Sequence, residues 1–414
     1  MSNDKAITKR VQQQILNFGK KISKGLSKTR RRFVHQMLFG IQAGRDIKLS
    51  SVSRSLEEDI HLIKTEQRLS RQMAKEELTE HINEAILRQG STKIERDTVL
   101  AWDLSDIQKP FAKKMELLSE VWDGSQKEVG RGYCLNSVIA ANVNEEQLIP
   151  MYNELYSHKA KDFGSENQQI FKALQKVQEE LKGKGIWAMD RGADREEIVE
   201  ELDRLRARYV IRCRGDRQVE TKQGRRMSIS EIAKRTKSDR RYKVTVDEQG
   251  HKEDREVYAG IRKDVKVEGV LMNIVIVRGF GRKPLMLMTN VDKEPEDILD
   301  IYLTRWKCEE SFRFLKQEYH VEDVRVRSYT ALRNTMAIMH AVFYFLSVYL
   351  HRGLRVSILL EKILEKAKRF FEVPVFKHYA IADGIYRLLF NQKWMPENID
   401  DFFEDKRQLS FAFD

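Results

Sequence analysis

At Arg96 the chain changes its hydrophobic period, and that one switch limits the folds open to it. Residues 1 to about 95 contain no proline and carry Phe33, Met37, Leu38, Ile41, Val52, Leu56, Ile60 and Ile63 at helical spacing, which predicts a helical module. Beyond Arg96, short apolar runs alternate with helical ones. Val99 to Leu104 and Gly132 to Val143 read as strands, Asn167 to Leu181 as a helix closed by Gly183 and Gly185, and Ile186 to Met189 as a strand. Arg195 to Ala207 is again helical and Tyr209 to Cys213 a strand. Such alternation requires helices packed on a sheet, a mixed α/β layer fold.

From about Gly215 to Pro284 the helical pattern fails, and short β runs at Tyr242 to Val246, Val257 to Ile261 and Leu271 to Val277 predict an inserted β subdomain. Arg278 to Lys283 reads as a hairpin loop before Leu285 to Thr289. A long helix is then expected from about Asp292, with Pro295 in its first turn and Glu294, Glu296 and Asp297 complementing its N-terminal dipole. Apolar helices at Thr330 to Tyr349 and Ser357 to Phe371 and an acidic tail from Glu397 to Asp405 complete the chain. Near the N-terminus, Ser50 and Ser51 are expected to cap a helix beginning at Val52.

Charge is concentrated. The net charge is +12, yet residues 1–50 hold 12 Lys or Arg against Asp4 and Asp46, and residues 204–243 hold 15 against Asp216, Glu220, Glu231 and Asp239. The remainder is therefore net acidic. Two basic islands suit a phosphate backbone, whose condensed counterions are released on binding. The run Arg30, Arg31 and Arg32 leads the first island, and Arg191, Arg212 and Arg214 border the second. Cys134, Cys213 and Cys308 are odd in number and lack metal-ligand spacing, which argues against a disulfide framework or a zinc site and for a reducing, cytoplasmic setting. The N-terminus has no signal-peptide core, and the apolar run Met336 to Leu350 is shorter than the ~20 residues of a membrane span.

Tyr302, Arg305, Glu309 and Lys316 stand at offsets that fall within roughly 60° around a helix axis, so they share one face. An acid bracketed by two cations and a tyrosine can hold a metal centrally and touch phosphates on either side. Asp103 on the first strand and Asp190 at the end of a later one supply two further carboxylates in the order Asp, Asp, Glu. Asp106, Asp194 and Glu310 are near rivals, and the stripe selects Glu309. Three carboxylates converging from two strands and a helix can bind two divalent cations, with oxygen donors favouring Mg²⁺ over zinc.

The spacing Tyr302-x2-Arg305-x3-Glu309-x6-Lys316 resembles the Y-R-E-K signature of the DDE transposases of the insertion-sequence-four type. Trp102-Asp103-Leu104-Ser105-Asp106 and Met189-Asp190-Arg191-Gly192 are similar to that group's first and second acid motifs. The resemblance, spanning about residues 1–350, implies a helical DNA-binding domain at 1–95 that reads terminal inverted repeats. It further implies a ribonuclease-H-like core at 96–214 and 285–345 around a β-rich insertion at 215–284, and the pattern of the remaining residues gives a helical C-terminal region at 346–414. The resemblance implies Asp103, Asp190 and Glu309 as catalytic ligands of two Mg²⁺ ions, with Mn²⁺ as a substitute. Tyr302, Arg305 and Lys316 would then grip phosphates, and a homodimer would act on double-stranded transposon ends and target DNA beside a bacterial nucleoid. Members that excise through a DNA hairpin stack a flipped base on an aromatic residue, often a Trp of the insertion. This chain has no Trp between Trp187 and Trp306, which leaves Tyr242, Tyr258 and Phe280 as aromatic alternatives and Trp306 as packing. Two other readings stand beside cut-and-paste transposition: a catalytically inactive domesticated or inhibitory DNA-binding relative, and a stand-alone Mg²⁺-dependent nuclease.

Overall fold

A computed structural model describes residues 2–123, 128–248, 251–267, 269–367, 376–390 and 392 of the chain. The acidic tail from Glu397 to Asp405 and the end of the expected Ser357 to Phe371 helix lie outside the described residues. Five helices come first: α1 (Ser2–Ile22), α2 (Lys28–Gly44), α3 (Leu49–Leu56), α4 (Leu62–Met73) and α5 (Thr79–Ser91). Ser27 caps α2 by accepting from the Arg30 amide at 3.4 Å. Ser50 and Ser51 do not cap. They lie inside α3, and Asp46 takes the Lys48 amide and the Ser51 hydroxyl, each at 2.9 Å.

The sheet begins with β1 (Val99–Gln108), β2 (Ser119–Asp123), β3 (Glu128–Ala141) and β4 (Leu148–Tyr156). Then follow α6 (Glu166–Leu181), β5 (Ile186–Met189), α7 (Glu196–Arg204) and β6 (Tyr209–Arg212). β1, β3 and β4 form an antiparallel meander, whereas β5 and β6 run parallel to β1, giving the spatial order β4-β3-β1-β5-β6. β4 carries no alternating pattern because every one of its positions is buried. Pro150 is accommodated where the β3–β4 register shifts between Val138 and Ile139, a bulge that spares a ladder hydrogen bond.

Next come β7 (Gln218–Glu220), β8 (Arg226–Ser228), α8 (Ile229–Arg235), β9 (Arg240–Glu248), β10 (His251–Val267), β11 (Val270–Arg278) and β12 (Leu285–Thr289). Ser228 and Glu231 start α8 with a reciprocal capping box. The strands of the expected β insertion continue the sheet of the core. β12 pairs antiparallel with β6, and β11, β10, β7 and β8 extend the same sheet outward, with β9 on β10. Extending an existing sheet pairs the exposed edge of β6 and so removes an unpaired row of backbone groups.

The C-terminal helices are α9 (Pro295–Thr304), α10 (Trp306–Glu318), α11 (Tyr329–Tyr344), continued by a π turn at Phe345–Tyr349, α12 (Arg352–Ala367) and α13 (His378–Leu389). The single long helix expected to start near Asp292 and to carry Tyr302 through Lys316 is two. At Arg305 the amide bonds to Tyr302 O at 3.1 Å and the carbonyl accepts from Cys308 at 2.9 Å, a three-residue spacing that tightens the turn while φ and ψ stay helical.

Two cores sandwich the sheet. Val99, Ile186, Val210, Leu285 and Leu287 face α9, through Ile298, Leu299, Ile301 and Tyr302. Leu100, Trp102, Trp187, Met189 and Ile211 join the larger core with α6 and α7. That larger core crosses the change of period at Arg96. Phe18 of α1 stacks on Tyr344 with ring centroids 5.9 Å apart, and Asn334 of α11 accepts from the Leu78 amide at 2.6 Å and donates to Met73 O at 2.8 Å. The N-terminal helices are thus built into the body of the protein. Among the described residues no helix is long and apolar enough to cross a membrane.

Candidate active site

Strand parity positions the first two acids. Val99 pairs with Ile186 in the parallel ladder, and that ladder ends at Ala101 and Ala188. Extending the register by two residues brings Asp103 beside Asp190, on adjacent strands that lie about 4.8 Å apart. Side chains two apart share a face, so both acids lie on the α9 side with Val99 and Ile186. They stand just past the end of the parallel ladder, Asp190 directly after the carboxyl end of β5 and Asp103 midway along β1.

α10 brings the third acid to that edge. Arg305 Nη2 donates to Glu309 Oε1 at 2.7 Å, and Arg305 Nη1 lies 3.6 Å from Asp103 Oδ2. Arg305 is only 6% exposed, and its guanidinium stands 5.8 Å from the centroid of the buried Tyr302 ring. Its Nε is buried and has no partner among the described residues. Burial pushes the Asp103 carboxyl up to about 7; Arg305 pulls against that rise, while the charges of Asp190 and Glu309 add to it. The three acids therefore feel one another.

Asp190 turns the chain sharply by accepting from the Gly192 amide at 2.7 Å. The rivals are otherwise engaged. Asp194 is fully buried and is held by Arg217 and by the Arg214 amide at 2.6 Å, Glu310 pairs with Arg313 at 2.7 Å, and Asp106 lies 3.8 Å from Lys316 Nζ. Lys316 also pairs with Glu322 at 3.0 Å. Among the described residues no three His, Cys, Asp or Glu side chains are gathered tightly enough to make a metal cluster as they stand, with Glu309 leaning onto Arg305. The donor chemistry nevertheless fits a hard divalent cation. Asp190 and Glu309 lie near enough to Asp103 for their charges to act on it, and that mutual repulsion is what such a cation relieves.

The expected phosphate-binding arginines divide. Arg30 is turned inward: its two terminal nitrogens donate to Gln72 O and Glu76 O, tying α2 to the end of α4. Its position one helical turn before Phe33 and Val34 put it on the apolar face, a signal readable in the sequence. Arg32 is exposed and lies 3.4 Å from Glu58, while Arg31 is half-buried. Arg191 and Arg212 are exposed, and Arg214 is tied to Asp194. Much of the second basic island is neutralised internally, with Arg208 on Asp97 at 2.8 Å, Lys222 on Asp264 at 3.5 Å, Arg240 on Glu294 and Arg241 on Glu256. Of the aromatic alternatives, Tyr242 and Phe280 pack on the α9-side core and Tyr258 is 39% exposed. Trp306 is partly exposed rather than packed.

A cleft of about 1090 Å³ opens beside two of the acids, Asp103 and Glu309 but not Asp190, and is lined further by Lys316, Lys113, Lys114, Arg325 and Arg327. The last four belong to neither basic island. The runs Lys109-Pro110-Phe111-Ala112-Lys113-Lys114 and Arg325-Val326-Arg327 carry their signal, each too short to register as a charge island.

Residues 156–346 match the family model described as the transposase DDE domain. Asp190 and Glu309 lie within the matched segment, and Asp103 precedes it. The match supports a DDE transposase. Among solved structures, the chain is similar to a cryo-EM structure of the piggyBac transposase synaptic complex with hairpin DNA, at 10% identity and a TM-score of 0.47, covering 98% of this chain and 84% of that one. No curated protein matches the chain.

Proposed function

We propose that this protein is a DDE transposase of the Y-R-E-K kind, with a ribonuclease-H-like core, that binds the terminal inverted repeats of a mobile element, cuts its ends and joins the 3′-hydroxyls to target DNA. What carries the reading is Asp103 and Glu309 sharing one guanidinium, with Asp190 following the strand parallel to that of Asp103. The meander followed by two parallel strands supports the core assignment. Asp103, Asp190 and Glu309 would hold two Mg²⁺ ions, for which Mn²⁺ can substitute. When bound, the ions would supply Lewis-acid polarisation of the scissile phosphate and activation of the attacking water.

The chain's own groups do the rest. Arg305, stacked on Tyr302, orients Glu309 and offers a guanidinium suited to a bidentate phosphate contact. Lys316 supplies a compact charge further along α10. The substrate is double-stranded DNA at the element's end and then at the target, with two copies of the chain joining the two ends in a bacterial cytoplasm.

The experiment is Mg²⁺-dependent nicking of duplexes taken from the DNA flanking the coding region. Asp103→Ala, Asp190→Ala and Glu309→Ala should each reduce nicking by at least about 100-fold and leave duplex affinity near the parent value. Undiminished cutting by any one of them rejects the assignment. Cutting without strand transfer would favour a stand-alone nuclease, and binding without cutting by the parent chain an inactive relative.

A further inference from the structure

The acid cleft ends at the loop between β1 and β2, and that loop presents an aromatic ring to solvent. Phe111 is 92% exposed. The stems on either side are fixed: Lys109 Nζ donates to the carbonyls of Glu322 and, at 2.9 Å, Val324, while the Glu116 amide donates to Arg327 O at 2.9 Å. The Tyr133 hydroxyl adds a bond to Glu116 O at 2.6 Å, and Pro110 fixes φ just before the ring. Fixed stems thus hold a phenyl ring open to solvent at the rim of the cleft, a π-face free to stack.

The surroundings indicate the chemistry of its partner. Lys113, Lys114, Arg325 and Arg327 are exposed around the same cleft, and among the described residues none of them is in an ion pair. Lys316 and Arg313, which line the same cleft, are paired. An aromatic face ringed by uncompensated cations matches single-stranded nucleic acid, whose phosphates seek the cations and whose bases stack on the ring. A duplex hides its base faces, and an acidic peptide would use the cations without needing a flat surface.

We propose that Phe111 is a stacking platform for an unpaired nucleobase, with Lys113, Lys114, Arg325 and Arg327 holding the flanking phosphates, so that the β1–β2 loop grips a frayed single-stranded DNA end beside Asp103 and Glu309. The inference rests on the reading of the cleft as a DNA-cleaving site. It adds a subsite on a loop of the core, apart from the aromatic residues of the β-rich insertion.

The test uses the full chain in EDTA, so that nothing is cut, with a single strand of about ten nucleotides carrying 2-aminopurine and a blunt hairpin duplex of similar length. The parent chain should bind the single strand and quench its fluorescence. Phe111→Ala should weaken single-strand binding about 5- to 100-fold, the loss of one stacked base, and abolish the quenching, while duplex affinity stays within about twofold. Phe111→Trp should retain both signals, and Lys113→Gln with Lys114→Gln should lower the single-strand salt slope by about 1.4. Parent-like binding and quenching by Phe111→Ala overturns the platform, as does an equal loss on the duplex. If the parent chain binds neither DNA, the underlying reading falls with it; if it binds the duplex and single-strand binding is indifferent to Phe111, only the platform falls.

Discussion

Arg305 Nη2 donates to Glu309 Oε1 across 2.7 Å, one helical turn along the chain. The same guanidinium faces Asp103 at 3.6 Å and has almost no contact with water. An arginine therefore stands between two of the proposed metal ligands and supplies the positive charge that would otherwise come from an ion. Burial acts against its protonation, but Asp103, Tyr302 and Glu309 more than offset that and hold it above the ordinary arginine range.

Removing this charge should expose the repulsion it masks. Arg305→Ala leaves Asp103 buried against Asp190 and Glu309, and a broken buried pair costs about 3–5 kcal/mol. The variant should melt well below the parent in EDTA and recover more than the parent does when Mn²⁺ is added. Thermal melts with and without the ion check this. Equal Mn²⁺ shifts for the two proteins would count against the arginine acting as the local counter-charge.

How far this site was legible depends on which interactions are local. Ile186 to Met189 and Leu285 to Thr289 are strands at the positions their apolar runs specify, because short β-rich segments between turn residues declare both ends. Pro295 likewise marks the start of α9. β4 was invisible because burial of every position erases the alternation that marks a half-exposed strand, and Pro150 argued against it. The break at Arg305 was equally hidden, since nothing in the composition of residues 302–309 distinguishes a tightened turn from a continuous helix. Charge counting could not resolve pairing, because a sum over residues cannot see that Arg240 meets Glu294 or that Arg208 meets Asp97 across the fold.

Arg30 shows what an inward cation does. Its guanidinium satisfies the carbonyls of Gln72 and Glu76 where α4 ends. Arg30→Ala should cost about 1–3 kcal/mol in urea unfolding, the penalty for leaving buried acceptors unmet, and should leave the salt dependence of duplex binding unchanged. A fall in the salt slope would return Arg30 to the DNA-contacting set.

Lys316 should behave in the opposite way. It lines the cleft and is balanced by Glu322 at 3.0 Å, a pair open enough to exchange for a phosphate. Lys316→Ala should weaken duplex binding and reduce the slope of log affinity against log salt by about 0.9, the signature of one lost phosphate contact, with little change in unfolding midpoint. Titrations across a salt series give the slope directly, and an unaltered slope would exclude Lys316 from the phosphate contacts.

The buried histidines set the acid limit of the fold. Burial pushes the His340 imidazole down to about 3 and that of His378 to about 3; His35 falls to about 4 through burial and the nearby Lys20 and Arg31 charges. In the unfolded chain each would titrate near its ordinary value of about 6.5. Between that value and about 4 the unfolded state holds more protons than the folded one, so stability is intact above pH 6.5 and declines as the pH falls. Each imidazole contributes up to about 1.4 kcal/mol per pH unit to that decline. His340→Leu removes one such group, so urea unfolding at pH 7, 5.5 and 4.5 should show the variant gaining on the parent by roughly that amount per unit below pH 6. Parallel curves for the two proteins would mean that His340 takes up its proton without unfolding.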